Sequence, residues 1–140
     1  MSMKSTLHHN IVAIISLCFA LTGFSYNAWR MEQSEENNNI RTASFQVLLE
    51  LSELEQVIFH AHYDHDSNAG NPRTGWVKVG LSRDLSVFLT VAVQQQIKQL
   101  AIVWEATWPS LGKQDADIQV LLQALKKTRQ LVISDLEAIQ

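Results

Sequence analysis

The chain has 140 residues, with eleven basic and fourteen acidic side chains and a single cysteine. That length holds one domain of about 100 residues beside a membrane segment, and no second domain. The absence of any basic block excludes phosphate-tracking nucleic-acid binding, and Cys18 alone gives neither a disulfide nor a thiolate metal site.

The N-terminal region is apolar from Ile11 to Phe24, and Leu7 and Tyr26 extend the run to about twenty residues, enough to cross a bilayer as a helix. Tyr26 and Trp29 follow where interfacial aromatics belong, then Arg30 and the polar stretch Glu32 to Asn39. The competing reading is a cleaved signal peptide, with Lys4 as its charged start and Gly23 and Ser25 before the cut. The length of the run and the flanking aromatics favour an uncleaved anchor. Leu17 before Cys18 argues against lipoprotein processing. Lys4 is the only charged side chain among the first 26 residues, so the rest carries ten basic and fourteen acidic groups. Lys4, Arg30 and Arg41 give a weak charge bias. A short head and a long C-terminal part favour a single-pass cell (inner) membrane protein, with a cytoplasmic N-terminus and a periplasmic C-terminal domain.

Ala13, Ser16, Ala20, Gly23 and Asn27 alternate three and four apart and form a stripe of small or polar residues along the anchor. Such stripes let membrane helices approach closely. Residues 1–29 are thus expected to be the anchor and 30–39 a polar linker or helical stalk.

From 40 to 140 the pattern predicts a helical soluble domain. Ile40, Ser44, Val47, Leu51, Leu54, Ile58 and Ala61 form one apolar stripe on a helix expected to reach His65. A long loop is expected over 67–80, where three Gly and a Pro disfavour helix. Ser82 is a plausible N-cap for a second helix, with Leu85, Leu89, Val93, Ile97, Leu100, Trp104 and Trp108 on its stripe, a break near Ala92 and a stop at Pro109. Asp115 or Asp117 opens a third helix with Ile118, Leu122, Leu125, Arg129, Val132, Leu136 and Ile139 on one line. Arg129 is read there as snorkelling at an edge rather than pairing with a buried acid. The fold expected is all-α, an N-terminal single transmembrane helix followed by an up-down-up three-helix bundle with helices of matched length.

Chemistry concentrates in His60-Ala-His62-Tyr63-Asp64-His65-Asp66. On a regular helix His60 and His62 point about 200° apart and cannot share an ion. His62, His65 and Asp66 share another face and form the candidate metal set. Helix termination explains the same residues at lower cost, because histidine suits a last turn. No cofactor is expected. Tyr63, Asp64, Asn71, Arg73 and Trp76 form the candidate partner or ligand surface, with an Arg73–Asp64 salt bridge fixing the loop and Trp76 closing the open end. Arg and Trp are enriched at binding hot spots.

No Gly-rich phosphate loop, G-x-S-x-G elbow or H-E-x-x-H motif is present. The expected function is therefore non-enzymatic: a membrane-anchored helical module that binds a protein partner or scaffolds a complex. The partners expected are the lipid bilayer and a protein partner or self-association. The alternative is a small-ligand-sensing or metal-binding domain built on the His60–Trp76 region.

Overall fold

A computed structural model describes residues 3–139, with side chains from Asn10 onward. Met1, Ser2, Gln140 and the side chains of residues 3–9, including those of Lys4 and Leu7, lie outside the described residues. The regular elements are helical, with no strand among the described residues. They are α1 (Met3–His62), α2 (Pro72–Leu85), α3 (Val91–Thr107) and α4 (Asp115–Ala138), with single 3-10 turns at Ser86–Phe88 and Trp108–Ser110.

α1 is 60 residues long. No Gly or Pro occurs between Gly23 and Gly70, so nothing in the covalent chain interrupts the hydrogen-bond ladder. The polar stretch Glu32 to Asn39 is helical. The chain divides into two compact units at Asn38/Asn39.

In the first unit α1 is long and apolar enough to cross a membrane, and none of the apolar window is buried. Ala13, Ser16, Ala20, Gly23 and Asn27 are all exposed. A Cβ added to Gly23 would have no atom within 4 Å. Thr22 donates its hydroxyl hydrogen to the Cys18 carbonyl at 2.8 Å, which satisfies that hydroxyl inside the helix. The Tyr26 and Trp29 rings lie 6.1 Å apart at the polar end of the run.

In the second unit the α1 stripe packs inward: Val47, Leu51, Leu54 and Ile58 are at most 1% exposed. They meet Val79 of α2, Val93, Ile97, Leu100 and Trp104 of α3, and Ile118, Leu121, Leu125 and Val132 of α4 in one core. Burying each large aliphatic side chain is worth about 1.5–3 kcal/mol. Helix neighbours are fixed by specific contacts. Glu50 and Glu53 of α1 meet Lys78 of α2, and Ala61 faces Gly70 just before α2. Glu55 and His62 of α1 meet Arg129 and Asp115 of α4. Thr90 and Gln96 meet Asp135 and Thr128. Gly75 of α2 touches Trp104 of α3.

Three expectations need correction. The loop expected over 67–80 contains a helix, because Asn71 caps α2 with its side-chain oxygen and Pro72 supplies a preset φ in its first turn. The irregular segment shrinks to residues 63–71. Ser82 consequently lies buried within α2 and caps nothing. The break expected near Ala92 falls at Leu89 and Thr90, which are extended, and the Thr90 side chain accepts from Val93 N–H to start α3, so residues 82 to 108 belong to two helices. The expected stripe still faces the core from Leu89 to Trp104, while Trp108 is 40% exposed. The third helix is capped at Gln114, which makes no side-chain capping bond, so Asp115 and Asp117 sit in the first turn, where negative charge suits the dipole. Its buried line is Ile118, Leu121, Leu125, Thr128 and Val132, with Leu122 and Arg129 at the flanks.

Candidate functional site

α1 ends as a helix at His62 and turns away through His65, the only non-glycine with positive φ among the described residues, at 52°. Asp66 N–H donates to the His60 carbonyl at 2.9 Å and closes the turn. This early end pulls the candidate metal set apart. His62 Nε2 lies 3.2 Å from Asp115 Oδ1, and its Nδ1 is buried without a partner. His65 is exposed in the turn. Asp66 Oδ1 accepts from the backbone N–H groups of Asn68 at 2.8 Å and Ala69 at 3.1 Å. Those two N–H groups, Ala69 first, hold the Asp66 carboxyl below its ordinary pKa of 3.8. Among the described residues no group of three or more His, Cys, Asp or Glu side chains is placed to hold a metal ion.

The candidate partner residues also separate into distinct roles. Asp64 bonds to His60 at 2.8 Å across one helical turn and does not pair with Arg73. Asn71 accepts from Arg73 N–H at 3.0 Å as the α2 cap. The Arg73 side chain is exposed and makes no ion pair among the described residues. Tyr63 is 59% exposed and packs edge-on against Phe59 and His62. Trp76 is 38% exposed, with its ring edge-on to the fully buried Trp104 at 6.5 Å. Trp76 is thus half anchored in the core and half offered to solvent. Between the α1–α2 turn and the start of α4 lies a shallow open cleft of about 300 Å³, lined by Ala61, His65, Asp66, Gly70, Pro72 and Lys113 among others.

The most deeply placed charges lie elsewhere. Glu50 is 4% exposed and faces Lys78, whose Nζ lies 3.2 Å from its Oε2 and also contacts Glu53 Oε2. Glu50 accepts a further bond from Gln46 Nε2 at 2.9 Å. Glu53, and then Glu50, hold the Lys78 ammonium above its ordinary 10.5, against partial burial acting the other way. Arg129 Nη2 donates to Glu55 Oε2 at 2.7 Å, both side chains 29% exposed, so Arg129 pairs with an acid rather than snorkelling. Neither partnership had a local signal: Lys78 lies in a stretch read as loop, and Glu55 is 74 residues from Arg129. Both acids nonetheless border the α1 core stripe, where a flanking carboxylate calls for a cation on the neighbouring helix.

No protein-family model, curated protein or solved structure matches the chain.

Proposed function

We propose that this chain is a single-pass membrane-anchored helical module that binds a protein partner and performs no catalysis. The carrying observation is the exposed apolar stretch of α1, an unburied run long enough to cross a bilayer, joined to a domain with its own core. In this reading residues 1–29 are the anchor, the N-terminus is cytoplasmic, and the domain is periplasmic in a bacterial cell. The four helical segments of the domain pack as successive antiparallel neighbours, a four-segment version of the expected three-helix bundle. The helix contacts described above support this arrangement.

The partner surface is read at Arg73 and Trp76, with Tyr63. An exposed Arg without an ion pair and a Trp half-seated on a buried Trp are the kind of rigid, partly desolvated anchors that dominate interfaces. The ligand-sensing alternative has only the open cleft beside Asp66 in its favour. The test is photo-crosslinking in native membranes with Trp76 replaced by p-benzoylphenylalanine. One discrete protein adduct is expected, and Arg73→Ala should remove it while circular dichroism stays unchanged. A smear, or an adduct indifferent to Arg73→Ala, would contradict the assignment.

A further inference from the structure

Arg73 stands in the first turn of α2, exposed and without an ion pair. That is the end of a helix where the backbone dipole disfavours a cation. No acidic side chain shares the turn. The two acids nearest in the chain are engaged elsewhere, Asp64 with His60 and Asp66 with the N–H groups of Asn68 and Ala69. The backbone of the turn is also occupied. Pro72 has no N–H, Arg73 N–H donates to the Asn71 side chain, and Thr74 N–H donates to the Asn71 carbonyl at 3.0 Å. The positive charge left to satisfy is therefore the Arg73 guanidinium, and not the helix end.

Apolar surface lies directly beside that charge. Trp76 and Val77 are 38% and 64% exposed. They follow Arg73 by about one helical turn, roughly 60° to one side of it and 40° to the other. Trp76 is held edge-on against the buried Trp104, so covering it costs little side-chain freedom. This combination selects the occupant. The planar guanidinium fork matches a carboxylate through two parallel hydrogen bonds. A phosphate site at a helix start draws on several backbone N–H groups, which Asn71 and Pro72 withhold here. A small carboxylate ion would leave Trp76 and Val77 bare. A peptide segment with an acidic side chain next to an apolar one fills both halves of the surface.

We propose that the start of α2 recognises an acidic–apolar segment of a partner protein, in which an Asp or Glu carboxylate pairs with the Arg73 guanidinium and a neighbouring apolar side chain packs on Trp76 and Val77. The proposal rests on the partner surface read above at Arg73 and Trp76, and it adds the chemistry of what binds there. An exposed ion pair is screened by salt and an apolar contact is not, so binding weakens with ionic strength without vanishing.

The test uses the full chain in native membranes with p-benzoylphenylalanine in place of Val77, which leaves Arg73 and Trp76 intact. The adduct should map to a partner peptide with Asp or Glu within about four residues of the attachment point. Its yield should fall roughly tenfold in Arg73→Gln, the weight of a charge-assisted pair, and less in Arg73→Lys, which keeps the charge and loses the fork. Arg73→Glu should abolish it, and lysine in place of the mapped partner carboxylate should restore it in the Arg73→Glu chain. Circular dichroism should be the same for all these chains. A mapped peptide without a carboxylate, an adduct between two copies of this chain, or no restoration by the charge exchange overturns the proposal. Absence of any discrete adduct from positions 76 and 77 refutes the partner surface itself. A discrete adduct that is lost in Arg73→Ala but maps to a segment without Asp or Glu refutes only the acidic character of the partner.

Discussion

Two glycines of α2 carry opposite expectations. A Cβ on Gly75 would lie 2.2 Å and 2.3 Å from ring carbons of Trp104, so the indole or the helix must move. Gly75→Ala should destabilise the domain by about 1–3 kcal/mol, the usual cost of overpacking. A Cβ on Gly80 would meet nothing within 4 Å. Gly80→Ala should therefore stabilise by about 0.5–1 kcal/mol through helix propensity and reduced freedom of the unfolded chain. Urea unfolding of the two variants checks the contrast, and a shift of the same sign in both would refute the α2–α3 contact. At His65 the left-handed φ points the same way. Replacing it by Gly should raise stability by about 0.5–1 kcal/mol, since a side chain at that φ is a strain and not a metal ligand's asset.

Among elements, α1 and α2 are joined by a part-buried cation held between two carboxylates. Lys78→Met leaves Glu50 buried without its cation and should cost about 3 kcal/mol, while adding Glu50→Gln should recover much of that loss. The linkage sign follows from the raised pKa of Lys78. Its contribution is complete below the ordinary 10.5 and is lost as pH rises through the higher folded value. The wild-type advantage over Lys78→Met should shrink on that alkaline side and stay constant from neutrality upward until then. Denaturant midpoints measured across the range read this directly, and an advantage that grew with alkalinity would contradict the pairing.

The same elements tell what a sequence can carry. The stripe from Ser44 to Ile58 and the one from Leu89 to Trp104 were legible because burial follows the helical period. α2 was not, since the three Gly and the Pro of residues 67–80 weighed as loop while Asn71-Pro72 is a cap and first turn. The contact that makes Gly75 tolerable, the Trp104 ring, lies 29 residues away by number (104 − 75) and leaves no local trace. The metal set failed for a related reason: spacing places His62, His65 and Asp66 on one face only while the helix lasts, and it ends at His62.

For the whole molecule, a 60-residue helix that begins as an apolar run and ends inside a packed core is the feature from which the functional reading grows. Under the proposed reading, an anchor that stays on the chain accounts for Tyr26 and Trp29 at the end of the run and would present the domain to one side of a bilayer. The most direct measurement is the intact mass of the protein recovered from membranes after alkaline extraction. An uncleaved chain of 15.8 kDa retained in the pellet is the result the account predicts. A soluble species whose N-terminus lies near Tyr26 would contradict it.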